Sequence, residues 1–92
     1  MTLDKETIRR DIRSKVMELA GRTGQRFEAP SDDEVLPATG LLDSAAILEL
    51  VVWYETRFEL ELKQEEINID NLGSVAAMTE FAMSKKLGPQ GI

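Results

Sequence analysis

The chain has 92 residues, 42% of them hydrophobic and 30% charged, which suits one folded domain and argues against a disordered chain. It contains no Cys and no His. Disulfides, a Cys nucleophile and a Ser-His catalytic pair are thereby excluded, and the commonest transition-metal ligand is missing, so an enzyme is not expected. The net charge of −6 is unevenly spread, with seven basic and four acidic side chains over residues 1–27 but four basic and thirteen acidic over residues 28–92. Such an acidic surface disfavours nucleic acid and serves either solubility or a basic partner.

The longest unbroken apolar run, Leu50 to Tyr54, is far shorter than the roughly 20 residues of a membrane span. Residues 1–15 are charged and lack the apolar core of a signal peptide, so a cytoplasmic location is expected. Ile8, Ile12, Val16 and Leu19 recur at helical spacing and predict a first helix, capped by Thr2 or Asp4 and stopped at Gly21 and Gly24. Arg9, Arg10, Arg13 and Lys15 fall on its other faces. Asp11 and Glu18 interrupt them and no aromatic residue is interleaved, so they read as a solvated face rather than a nucleic-acid stripe.

From Gly21 to Asp43 no period is visible, and a long loop is expected, pinned by Phe27, Val35, Leu36 and Leu41. Its Asp32-Asp33-Glu34 run lacks the alternating ligands, central Gly and final Glu of a calcium loop, so no metal is expected. A second helix is predicted from Ser44 to Phe58, with Ile47, Leu50, Val51, Tyr54 and Phe58 as its core stripe. Ser44 stands at the helix start, where its hydroxyl can cap the first turn or carry an attached group. Ala45, Leu48, Glu49, Val52 and Thr56 fall on the opposite face, with Trp53 and Glu55 at its margins. Apolar Leu48 and Val52 beside two carboxylates suggest a partner-docking face, the alternative being that they pack under the long loop.

Residues 58–62 alternate with period two, but no second strand pattern exists to pair with them, so an extended connector burying Leu60 and Leu62 is expected. A short third helix is predicted within 65–72, with Ile67, Ile69 and Leu72 inward. Gly73 then breaks the chain and Ser74 caps a fourth helix that buries Val75, Met78, Phe81 and Ala82 and ends at Gly88-Pro89. The fold predicted is all-α: a monomeric four-helix bundle with a short third helix and a long first loop, spanning residues 1–86 and followed by a loose tail over 87–92.

Asp43-Ser44 followed by Glu49-Leu50 and Phe58, then by Leu60 to Leu62, Glu65-Glu66-Ile67, Asn71-Leu72 and Ser74 to Ala77, resembles the acyl carrier and peptidyl carrier protein family. The similarity covers about half the chain, and the first 35 residues match by pattern alone. Two residues, Leu41 and Leu42, separate Gly40 from Asp43, a spacing closer to stand-alone D-alanyl and peptidyl carriers than to fatty-acid carriers. Ala45 stands where many members have Leu or Met, and Lys63 where a proline is common.

The resemblance implies an acyl-carrier-type bundle in which Ser44 bears a covalent 4′-phosphopantetheine arm derived from coenzyme A, with Asp43 in support. It implies partners too: a phosphopantetheinyl transferase, an acyl- or aminoacyl-activating enzyme, and a downstream synthase or transferase, approaching over Ala45, Leu48, Glu49, Val52 and Glu55. The arm's thiol would hold a cargo as a thioester for lipid, polyketide or non-ribosomal peptide biosynthesis. The rival expectation is an unmodified acidic interaction module in which Ser44 is only a cap.

Overall fold

Helix α1, Lys5–Gly21, forms where the sequence supplies both a cap and a stripe. In the computed structural model, which describes residues 4–22, 30–40 and 42–87, the Asp4 carboxylate accepts the Thr7 backbone N–H at 2.7 Å and opens the helix. Ile8, Ile12, Val16, Leu19 and Ala20 are buried along one face. Helix α3, Ser44–Phe58, contributes Leu50, Tyr54 and Phe58 to the same core, and helix α5, Val75–Leu87, contributes Val75, Met78 and Ala82. Helix α1 packs against both α3 and α5, giving a small helical bundle with no strand among the described residues. Among the described residues no helix is long and apolar enough to cross a membrane.

The aromatic residues occupy the centre. Tyr54 and Phe58 are both fully buried, one turn apart, with ring centroids 5.6 Å apart at 73°. The Tyr54 hydroxyl donates to the Met78 carbonyl of α5 at 2.7 Å, which satisfies the one polar atom that burial strands there. Burial also pushes the phenol's pKa above its ordinary value. Helix α3 closes with Glu59 in the left-handed region (φ 53°), its N–H donating to the Thr56 carbonyl while the Leu60 N–H reaches the Glu55 carbonyl. That bond pair is the usual helix stop for a glycine, here made by a residue with a Cβ.

Asp43, not Ser44, caps α3: its carboxylate accepts the Ala46 N–H at 2.8 Å, and Ser44 is the first helical residue. The expected cap was displaced by one position because an Asp directly before the helix already reaches that donor. Between α1 and α3, residues 30–40 are more ordered than the lack of period suggested. Leu36–Thr39 forms a one-turn helix, α2, ended by Gly40 at φ 74°, a conformation glycine adopts without steric cost. Leu36 and Leu42 are buried, whereas Val35, expected to pin the loop, is 39% exposed; Phe27 and Leu41 lie outside the described residues.

Arg9 and Arg13 are not simply a solvated face. Both guanidinium groups converge on the Asp32 carboxylate, at 3.0 and 2.9 Å, and Arg13 also donates to the Pro30 carbonyl at 2.9 Å. The Asp32 carbonyl accepts the Ala76 N–H of α5 at 2.8 Å, and Leu36 N–H donates to the Gly73 carbonyl at 2.7 Å. The loop is therefore bonded to both α1 and the start of α5, where the Ser74 hydroxyl oxygen caps Ala77 N–H at 3.0 Å as expected.

The predicted third helix is split into a 3-10 turn, Gln64–Glu66, and a one-turn helix α4, Ile69–Leu72. Asn68 causes the split: its side-chain oxygen accepts Asn71 N–H at 2.8 Å and starts a new helix, while its amide donates to the Glu65 carbonyl. Ile67 and Ile69, on either side of that cap, are 46% and 59% exposed, so their expected inward orientation is corrected. A side chain at Gly73 would overlap the Ile69 carbonyl, which keeps the turn into α5 tight. Of the connector, Leu60 is buried and Leu62 half-buried, with no strand formed. Helix α5 continues through Leu87, and Gly88-Pro89 lies outside the described residues.

Phe58→Ala should destabilise the domain by about 3–5 kcal/mol, read as a lowered denaturation midpoint in urea. Total stability for small domains is about 5–15 kcal/mol, so the loss would approach unfolding. A midpoint near wild type would contradict the central placement of this ring. Glu59→Gly should act in the opposite direction, raising stability by about 0.5–1 kcal/mol by relieving the left-handed backbone.

Candidate functional site

The first turn of α3 projects Ser44 and Ala45 into solvent, with their backbone N–H groups at the positive end of a 15-residue helix. The next N–H, of Ala46, is taken by the Asp43 carboxylate, and that of Ile47 by the Asp43 carbonyl at 2.9 Å. Because Asp43 does the capping, the Ser44 hydroxyl is not used within the helix start. It is an exposed primary alcohol next to free backbone donors. The carboxylate next to it in sequence, that of Asp43, is engaged by the Ala46 N–H.

Leu48 and Val52 continue from Ser44 at intervals of four residues and are 65% and 54% exposed. The expected outer face is thus exposed at Ser44, Ala45, Leu48, Glu49, Val52 and Thr56. Its two carboxylates are not equivalent. The Glu49 carboxylate is gripped by Arg22 at the end of α1, which lowers its pKa from the ordinary value through a hydrogen bond. Glu55 is half-buried and accepts the Leu62 backbone N–H at 3.2 Å, so it braces the connector instead of standing free toward a partner.

On the side of α3 facing α4 lies a mostly apolar groove of about 190 Å³, lined by Ile47, Val51, Ile67, Asn68, Ile69, Leu72 and Gly73. Ile47 and Val51 were expected in the core and instead form one wall, half-buried. The sequence signal for the groove was an α3 stripe wider than three buried residues need, together with two isoleucines flanking an Asn cap. On the α1 side, Leu19, Arg22, Asp43, Ala45, Ala46 and Glu49 line a more polar cleft of about 210 Å³. No local signal marked the Arg22–Glu49 pair, whose partners are separated by 27 residues.

Among the described residues no group of three or more His, Cys, Asp or Glu is placed to hold a metal ion. Ser44 thus stands between an apolar groove and a polar cleft, at the head of an exposed apolar strip. Comparison of the chain with protein-family models, with curated proteins and with solved structures finds no match.

Proposed function

We propose that the chain is a carrier protein of the acyl or peptidyl type, with a 4′-phosphopantetheine arm on Ser44. The observation that carries this reading is the cap: Asp43 closes the first turn of α3, so the Ser44 hydroxyl is left exposed for attachment. A phosphodiester on that oxygen would lie beside the free N–H groups of Ser44 and Ala45 and the positive end of the helix dipole, an anion-favouring position. The arm would supply the thiol that a chain without Cys lacks, holding an acyl or aminoacyl group as a thioester.

The chain's own part is presentation. The Ser44 oxygen would attack the phosphorus of coenzyme A that bears the pantetheine, breaking the pyrophosphate bond and releasing 3′,5′-ADP, while the hydroxyl proton would leave to a base on the transferase. The groove that begins at Ile47, one turn from Ser44, has an apolar lining suited to a short alkyl chain rather than a charged cargo. Leu48 and Val52 would meet the transferase, the activating enzyme and the downstream synthase, since each has to reach Ser44 across this strip. Asp43 would act in support, by fixing where the helix begins.

Ser44→Ala should abolish the mass gain on treatment with a broad-specificity phosphopantetheinyl transferase and coenzyme A. Because Ser44 is exposed and is not the cap, stability should change by no more than about 0.5 kcal/mol. A mass gain that survives the substitution would place the modification elsewhere. Absence of any gain in the wild-type chain would favour an unmodified interaction module.

Val52→Asp and Leu48→Asp should each slow modification by about tenfold or more at any salt concentration, as loss of a central interface contact does. Circular dichroism should show both variants folded, since neither side chain is in the core. Modification of folded variants at the wild-type rate would move the docking face to another part of the surface.

A further inference from the structure

Arg22 follows the last turn of α1 and reaches across to α3. Its Nη1 donates to Glu49 Oε1 at 2.8 Å and its Nη2 lies 2.7 Å from Oε2, a planar fork on both carboxylate oxygens. A second carboxylate is within reach: Glu18 Oε2 lies 3.5 Å from the same Nη2 and is held at 2.9 Å by Lys15. Arg22 therefore stands between two acceptors, one on its own helix and one on the face beside Ser44. The Arg22 and Glu49 side chains are 53% and 44% exposed, so the pair is open to exchange with an incoming charge.

The same pair lines the polar cleft next to Asp43 and Ala45. Glu55 is half-buried and engaged by the Leu62 N–H, so Glu49 is the more exposed of the two carboxylates beside Leu48 and Val52, and Arg22 already pairs with it. A second copy of this chain, with its net charge of −6, would be repelled by the surface. A basic surface would be attracted.

We infer that Arg22 is a built-in competitor for Glu49, and that a protein partner presenting Lys or Arg next to an apolar side chain docks over Leu48, Val52 and Glu49 by turning Arg22 over to Glu18. The inference rests on the docking face described for the carrier reading. Arg22 then weakens every such partner and favours those whose cation is best placed to displace it. It acts as a specificity-determining residue without itself belonging to the contact strip.

The test uses a synthetic amphipathic helical peptide of Leu and Lys, titrated into the full chain with backbone amide shifts as the readout. Arg22→Gln should bind the peptide about two- to fivefold more tightly than wild type at low salt, with the gain shrinking as salt rises. Arg10→Gln makes the same change in net charge at an exposed residue with no ion pair among the described residues, and should give little gain. In a Glu49→Gln background, Arg22→Gln should add no more than Arg10→Gln does. An Arg22→Gln affinity equal to that of Arg10→Gln, or a gain that persists without Glu49, would overturn the inference.

Shifts that avoid residues 44–52 in every variant would overturn the docking face and this inference together. Intact mass after transferase and coenzyme A treatment reports on the carrier reading by itself. A chain that is never modified would remove that reading, while the peptide titration would still decide the role of Arg22.

Discussion

A single hydrogen bond, from Ala46 N–H to the Asp43 carboxylate, sets the register of α3 on which the other features depend. Once the helix begins at Ser44, the 3.6-residue repeat sends Leu50, Tyr54 and Phe58 into the core, Ile47 and Val51 to the groove, and Leu48 and Val52 to solvent. A start one residue later would rotate each of these sets by about 100° relative to the cap. The same bond also relieves Ser44 of a structural task. Capping thus falls to the acid, and the neighbouring alcohol is left exposed.

Charge is used to join elements as much as to coat the surface. Arg57 meets Asp11 at 2.6 Å between α3 and α1, Lys85 meets Glu66 at 2.8 Å between α5 and the 3-10 turn, and Lys5 pairs with Glu80 between α1 and α5. Each pair is partly exposed and contributes modestly to stability. Their value is in orientation: Lys5, Arg9, Arg13 and Arg22, on or just after the first helix, reach Glu80, Asp32 and Glu49 from later in the chain. The excess of basic residues over 1–27 and of acidic residues over 28–92 is the sequence image of this pairing, which leaves the outer side of α3 as an apolar strip with its carboxylates engaged.

The long helices were legible because each carries its own instructions. Ile8, Ile12, Val16 and Leu19 announce α1, and Leu50, Tyr54 and Phe58 announce α3. Ser74 was recognisable as the cap of α5. What escaped reading depends on partners distant in the chain. Arg9 and Arg13 look like solvated charges until Asp32 is folded against them, and Arg22 shows no link to Glu49 until α1 and α3 are packed. Ile67 and Ile69 look like core residues because hydrophobicity says nothing about a one-turn helix having no room for an inward stripe. The Ser44 cap was misplaced by one residue, the usual uncertainty of a helix boundary.

Asp32 gives α5 a dependence that its own sequence does not reveal. The Ala76 N–H at the start of that helix is satisfied by a carbonyl contributed from 44 positions earlier, and the carboxylate of the same residue is anchored on α1. The opening turn of α5 is therefore completed by a loop closure rather than by local winding, and that closure carries an entropic cost which grows only slowly with loop length. Solvent exchange at the Ala76 amide would accordingly register the docking of the first loop rather than fraying of α5. Cutting the chain between Asp32 and Ala76 would leave each fragment holding one half of a bond that neither can make alone.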